Sequence, residues 1–444
     1  MSDWYANLTG KAVLIVGCGA TGASAARFAA AAGAAVRVVD SRVSPPAAAR
    51  LAVELPEIEL ITGDLPVAAL AGMDEIMVSP GVDLREPLIA AARDAGYDVV
   101  GDIEWFARCA KAPVVAITGS NGKSTVTAWT HAIARRAGVN AVIGANFGTP
   151  ALDLLASDVE LYVLELSSFQ LELCNTLAPV AATVLNLSPD HIDRHGDYAA
   201  YAAAKARIFD HAALAVVNAD DAPAAQLAAG HKRVVSFGGG AEADYRLTEQ
   251  GLARGSEAGP SGDEIALAGR HNALNALAVW ALADAAGLDP AAIQAGLRAF
   301  DGLAHRCQPV AEVAGVRYVN DSKGTNLGAM LASLAGMDAP VVLLAGGQGK
   351  GADFSPLGPV AADKARAVIV FGEDGPTIAA AVGEHAEVIT VANLAEAVAR
   401  AAEIARAGDV VLLSPGCASF DQFGGYAERG DAFTAHVRDL ERAA

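Results

Sequence analysis

The chain is poor in cysteine, in aromatic side chains and in positive charge, and these shortages close off classes of function. Its five cysteines (Cys18, Cys109, Cys174, Cys307, Cys417) are odd in number, scattered over 444 residues, and form no C-x-x-C pair. That argues against a disulfide frame or a cysteine-based zinc site and favours free thiols in a reducing cytosol. Lysine and arginine total 32 against 51 acidic residues, a net charge of −19. Nucleic acid needs a basic face, so no nucleic-acid partner is expected. An anionic ligand would have to be held by local devices: helix N-termini, metal ions and a few cations. No run of 18 or more apolar residues occurs, although the hydrophobic fraction is 53% and the mean hydropathy +0.33. Alanine, weakly apolar and strongly helix-favouring, explains much of that excess. No membrane insertion is expected. The opening "MSDWYANLTGK" has no basic segment ahead of an apolar one, so no secretory leader is expected. A cytoplasmic monomer is the expectation.

What is present is an alternation of short β-rich runs with Ala-rich helical stretches, the pattern of an α/β protein with parallel sheets covered by helices. The length suits about three domains. "KAVLIVG", "AVRVVD" and "DEIMVSPG" predict strands of a first domain, 1–101. "APVVAITG", "LYVLELSS", "VAATVLNLS", "LAVVNADD" and "KRVVSFG" predict a second, 102–301. Its Gly- and Glu-rich stretch after 238 is expected to form antiparallel strands at the sheet edge, followed by a helix over "GRHNALNALAVWALADAAG". "VRYVNDS", "PVVLLAGG", "RAVIVFG", "EVITV" and "DVVLLSPG" predict a third, 302–444.

"AITGSNGKST" places Gly119, Ser120, Asn121, Gly122, Lys123, Ser124 and Thr125 between a strand and a helix. Glycines let backbone wrap an anion, amides at the helix start point at it, lysine reaches β/γ-phosphates and the serine hydroxyl sits on Mg²⁺. Ile117 stands where the usual motif has its first glycine, so only the short form is present. "GCGATG" (17–22) gives Gly-x-Gly-x-x-Gly after a strand, with Asp40 ending the next strand. NAD(P), another nucleotide such as a UDP-sugar, and a mere packing turn all fit that pattern. Glu165 ends a strand, where α/β ligands gather. A Mg²⁺ ligand and an exposed glutamate near a helix start are both compatible with it. "PDHIDRHGD" concentrates Asp190, His191, Asp193 and His195. Ile192 replaces the glutamate of a zincin, and a substrate or hard-metal role is favoured over zinc. Lys205 lies on an apolar helix, where a snorkelling surface lysine is the default. Arg306 follows the second boundary, within reach of phosphates. "NDSKGTN", "GGQGKGADF" and "SPGCASFDQFGGY" are polar clusters at the ends of three strands of one domain, and together suggest a single small-ligand pocket.

Taken together, these motifs resemble the Mur ligase family, the ATP-dependent amide-forming enzymes of peptidoglycan synthesis. The resemblance spans the chain from "GCGATG" to "GGYAERGDAF", and its TG-x-NGK-[ST] loop accounts for Ile117. It implies a Rossmann-like N-terminal domain, a central P-loop ATPase-type domain and a Rossmann-like C-terminal domain. "NDSKGTN" and "SPGCASFDQF" resemble the members that add D-glutamate to UDP-N-acetylmuramoyl-L-alanine. Under that resemblance Thr21, Asp40, Ser41 and Arg42 would line a uridine–pyrophosphate site, with Ser79, Pro80 and Gly81 opposite and Asn146 on the muramoyl sugar. Lys123 and Ser124 would hold ATP and Mg²⁺, two ions in all. Glu165 and His191 would serve the metals, and Lys205 resembles a lysine carried as a carbamate ligand. Asn272, Asn275, Arg306 and Asp321 would contact ATP. Thr325, Lys350, Ser419, Phe420 and Tyr426 would cradle D-glutamate. Gln348 departs from the aspartate of some relatives. The rivals are a sibling ligase with another amino-acid donor, a folylpolyglutamate synthase, and an NAD(P)-binding protein with a vestigial ATP loop.

Overall fold

The computed structural model describes residues 5, 7–267 and 269–443. They form three sheets. The first runs Glu59–Thr62, Ala35–Asp40, Ala12–Val16, Glu75–Val78, Val99–Val100, all parallel. The second has nine strands with Val114–Thr118 in its interior, between Leu161–Glu165 and Ala181–Val184. Its far edge turns antiparallel through Tyr245–Thr248, Gly251–Arg254 and Glu257–Ala258, as the Gly-rich stretch suggested. The third runs Gln308–Val313, Val316–Asn320, Val410–Leu413, Val341–Gly346, Ala365–Phe371, Glu387–Thr390, and only its first pair is antiparallel.

The central strands are apolar along their whole length because helices cover both faces. Val114–Thr118 and Val341–Gly346 are buried at every residue. Four strands went unread in the sequence: Glu59–Thr62, Val99–Val100, Ala141–Ala145 and Gln308–Val313. All four lie at sheet edges. Three of them are largely half-exposed, and the fourth is two residues long. A short strand covered on one side has neither a long apolar run nor a clean alternation.

The chain packs as two compact units, Met1–Ile265 with Leu274–Phe300, and Ala266–Ala273 with Asp301–Ala444. The first two sheets share the first unit. Their apolar residues join one core, which includes Val13, Ile15, Trp105, Phe106, Val114 and Tyr162. Buried polar ties reinforce it. Trp105 Nε1 donates to Glu75 (2.8 Å), and the N–H groups of Asn175 and Thr176 donate to the fully buried Glu104 (2.6 and 2.8 Å).

Candidate functional site

In an open parallel sheet, ligands bind beyond the strand C-termini where the strand order reverses. In the first sheet that point lies between Ala12–Val16 and Glu75–Val78. A cavity of about 610 Å³ opens there, lined by Gly17, Gly19, Thr21, Asp40, Ser41, Arg42, Ser79, Pro80, Gly81, Asn146 and Gln170. Gly22 permits the close approach of helix to loop, because a Cβ there would fall 1.8 Å from the Gly17 carbonyl oxygen. Asp40 organises the wall. Its Oδ2 accepts from the Cys18 N–H (2.7 Å) and Arg42 Nη2 (2.6 Å), and its Oδ1 accepts from the Arg42 N–H (2.9 Å) and Nε (2.8 Å). Burial pushes its carboxyl up, but the Arg42 and Cys18 donors outweigh burial and hold it at about 2. Asp40 is therefore an anion committed to Arg42 and the glycine turn.

The second sheet presents the phosphate loop in the same way, after an interior strand. Gly122, at φ 81°, ends the turn and Lys123–Arg136 follows as helix. The loop is braced from the next strand. Asn186 accepts from the Asn121 N–H (2.8 Å) and donates to its carbonyl (3.0 Å), and the Tyr201 hydroxyl lies 2.8 Å from that of Ser120. Lys123 Nζ donates to the carbonyls of Gly119 (2.8 Å) and Ser120 (2.9 Å). Asn275 abuts the turn, its Oδ1 2.8 Å from where a Cβ on Gly122 would stand.

Glu165 is the junction of the two features. The Ser124 hydroxyl donates to its Oε2 (2.5 Å), and Asn146 Nδ2, on the cavity wall, donates to its Oε1 (2.6 Å). A hydroxyl and a carboxylate in contact beside a phosphate loop suit a hard divalent cation. Among the described residues no group of three or more His, Cys, Asp or Glu is placed to hold a metal. So few protein ligands suit Mg²⁺, which keeps waters and phosphate oxygens.

Lys205 corrects the default reading of its helix. It is 2% exposed, not a surface lysine. Its Nζ donates to Thr118 Oγ1 (3.1 Å) and the Gly119 carbonyl (2.9 Å) and sits 4.9 Å from the Tyr201 ring centre. Burial, and then the nearby Lys123 charge, hold its pKa well below the ordinary lysine value. The two histidines part company. His191 adopts φ 53° at the start of the single turn Ile192–His195, with Phe169 against its ring. His195 is buried between Ser168 (2.9 Å) and Glu172 (3.1 Å).

In the second unit the three polar clusters come together. Val410–Leu413 lies between Val316–Asn320 and Val341–Gly346, so the loops after all three strands are neighbours. Backbone bonds join them. Gly416 N–H donates to Gly324 O (2.8 Å), Gly346 N–H to Pro415 O (3.0 Å), and Gln348 and Ala418 exchange two bonds of 2.9 Å. Gln348 thus joins two loops through its backbone, while its side chain donates to Glu373 Oε2 (3.0 Å). Lys350 is exposed at φ 54°, Ser419 is buried, Phe420 is exposed, and the Lys323 ammonium lies 3.8 Å from the centre of the Tyr426 ring. Thr325 is half-buried in the first of these loops. Arg306 stands between two non-glycine residues of positive φ, His305 (63°) and Cys307 (44°), and the Cys307 N–H donates to the buried Asp321 (3.2 Å). Asn272 is buried in the first turn of Arg270–Ala285.

Gln170, Asn186, Tyr201 and Arg429 escaped the sequence. Each acts by holding another residue or a loop, and no local spacing marks that. Arg429 in particular sits in "YAERGDAF", which reads as an exposed helix face.

Known proteins share this design. The Mur ligase MurD-like N-terminal domain matches residues 11–101, the Mur ligase middle domain 117–283, and the Mur ligase glutamate ligase domain 305–417. The chain is 49% identical to the UDP-N-acetylmuramoylalanine–D-glutamate ligase of Methylococcus capsulatus, over 96% of this chain and 95% of that protein. It is 47% identical to the protein of the same name from Pseudomonas aeruginosa, over 96% and 98%. Among solved structures, the UDP-N-acetylmuramate–alanine ligase MurC of Thermotoga maritima superposes with a TM-score of 0.60 at 19% identity, over 98% of this chain and 100% of that one. MurF from Acinetobacter baumannii gives 0.58 at 18%, over 100% and 93%. These two likenesses speak for the fold.

Proposed function

The chain belongs to the Mur ligase family, and from that premise we propose that it joins D-glutamate to UDP-N-acetylmuramoyl-L-alanine at the expense of ATP, acting as a cytoplasmic monomer. Residues 1–101 would hold the UDP substrate, 102–301 ATP, and 302–444 the amino acid. One observation carries the reading: Glu165 touches Ser124 of the phosphate loop and Asn146 of the cavity wall at once. A nucleotide on that loop and a substrate in that cavity would therefore bring a γ-phosphate and a carboxylate to the same carboxyl group.

In the proposed reaction the L-alanine carboxylate oxygen attacks the γ-phosphorus and ADP leaves. The acyl phosphate formed has a good leaving group, which a free carboxylate in water lacks. The D-glutamate amine attacks the acyl carbon, loses a proton, and inorganic phosphate departs as the amide forms. Lys123 would turn from its own loop carbonyls to the β/γ-phosphates and neutralise charge there. Asp40 keeps Arg42 on the cavity wall for a pyrophosphate. Bound Mg²⁺ would neutralise phosphate charge and polarise the phosphoryl group. Ser124 and Glu165 are the residues to hold one ion, with His191 and Lys205 serving a second. A lysine becomes a carbamate only through its uncharged amine, and burial, with the Lys123 charge, lowers the Lys205 pKa in the direction of that form. Asn272, Asn275, Arg306 and Asp321 are assigned to ATP. Thr325, Lys350, Ser419, Phe420 and Tyr426 are assigned to the two carboxylates of D-glutamate.

The test uses substrate with ¹⁸O in the alanine carboxylate. Product mass should show one D-glutamyl residue added, and the released phosphate should carry one labelled oxygen. Unlabelled phosphate, or activity only with a different amino acid, would reject the proposal.

A further inference from the structure

Arg429, on the C-terminal helix Tyr426–Ala443, is a fully buried guanidinium at 0% exposure. Burying a charge is costly unless it is paired, yet among the described residues no carboxylate lies within 4.0 Å of it. Its hydrogen-bond partners are uncharged oxygens. Nε donates to Ser322 Oγ (3.0 Å), Nη2 to the carbonyls of Ser322 (2.8 Å) and Cys417 (3.1 Å), and Nη1 to the Gly346 carbonyl (3.4 Å). Asp421 and Asp321 act on it only through space. Burial lowers its pKa to about 10, so it remains a cation at neutral pH.

The placement of those partners is informative. Ser322, Gly346 and Cys417 each lie at the root of a different loop, and those loops carry Thr325, Lys350 and Ser419 respectively. Backbone bonds join the loop after Val410–Leu413 to each of the other two, but among the described residues none joins those two to each other, and Arg429 reaches all three. A cation there adds what an apolar residue cannot, an electropositive floor with little solvent to screen it. This matters in a chain of net charge −19 that is proposed to take a dicarboxylate.

We infer that Arg429 is a positioning residue for the amino-acid acceptor, tying the three loops from below and supplying positive charge beneath the two carboxylates of D-glutamate. The inference rests on the D-glutamate reading above and deepens it. Arg429 does not touch the substrate. It sets where Thr325, Lys350 and Ser419 stand and makes their site favour an amino acid with two carboxylates over one with a single carboxylate.

The test measures KM for D-glutamate, ATP and the UDP substrate separately in the full chain, with D-glutamine, which has one carboxylate fewer, as the competitor. Arg429→Gln should raise KM for D-glutamate about tenfold or more, the scale of a lost charged hydrogen-bonding group. The other two KM values should stay within about twofold. Arg429→Lys should restore the preference for D-glutamate over D-glutamine, since it keeps the charge. A merely structural role would move all three KM values together or none, and either result overturns the inference. If Arg429→Gln does not fold, Arg429→Lys decides, because it keeps the cation but cannot reach all four acceptors. Its KM for D-glutamate should rise by about threefold, and an unchanged value overturns the inference. A wild-type chain that does not use D-glutamate would instead reject the earlier proposal.

Discussion

Asp40→Asn tests the electrostatics of the cavity wall most directly. The wild-type carboxylate is 3% exposed and takes four hydrogen bonds, three from Arg42 and one from the Cys18 N–H. Its carboxyl is held at about 2, against 3.8 for an ordinary aspartate. At about 1.4 kcal/mol per pH unit, that difference corresponds to roughly 2.4 kcal/mol of native-state stability. Arg42 is half exposed, so solvent screening trims this to about 2 kcal/mol. The sign follows from the depressed value. The contribution is complete above the unfolded-state value and disappears as pH falls through the folded-state value. Wild type should therefore exceed Asp40→Asn by about 2 kcal/mol more at pH 7 than near pH 2, with about half of that difference lost by pH 3. Urea unfolding of both proteins at pH 7, 4 and 3 measures it, since groups common to both cancel. At pH 7 the variant should also show a KM for the UDP substrate raised by about tenfold with KM for ATP unmoved. A gap independent of pH between 7 and 3 would refute the argument, because Asp40 would then not be an anion stabilised by the fold.

Lys205→Ala should lower kcat by at least about 100-fold, the scale for loss of a group acting on the transition state, and added bicarbonate should not restore it. Wild-type turnover in that variant would remove Lys205 from the site. Gly122→Ala forces an L side chain to φ 81° and sets its Cβ 2.8 Å from Asn275 Oδ1. Thermal melts should show a loss of about 1–2 kcal/mol, with weaker ATP binding, and Asn275→Ala in the same chain should relieve only the crowding. Asp102 is buried, and burial raises its carboxyl to about 6 despite the Gln170 hydrogen bond. Its native state prefers the proton, so it costs stability as pH rises from about 4 to 6. Asp102→Asn should stabilise the protein at pH 7 by up to about 3 kcal/mol and by little at pH 4. Equal effects at both values would refute that assignment.

The motifs with strict backbone demands were legible in the sequence. Gly17, Gly119 and Gly122 take positive φ and Gly22 leaves no room for a Cβ, and the strands before these turns are buried at nearly every position. Four edge strands were illegible because burial there is partial or the strand is very short, although "EVITV", also at an edge, was read from its β-branched run. Lys205 was misleading for a similar reason. An amphipathic pattern shows which face of Tyr198–Ala206 is apolar, but not that a lysine on it is covered by the strand end at Thr118 and Gly119. Arg429 left no signal, since its partners are mostly carbonyl oxygens, and every residue has one.

By itself the amino-acid sequence determined the α/β class, the phosphate loop, the second glycine turn with Asp40, and the identity of the polar clusters, because each depends on residues adjacent in the chain. Tertiary structure alone decided which of them meet. It inserted the last strand, Val410–Leu413, between two earlier ones and so set three loops from distant parts of the chain side by side. It also set one carboxylate, Glu165, against both Ser124 and Asn146. Strand order and burial arise from packing over the whole chain, and no local pattern of residues encodes them.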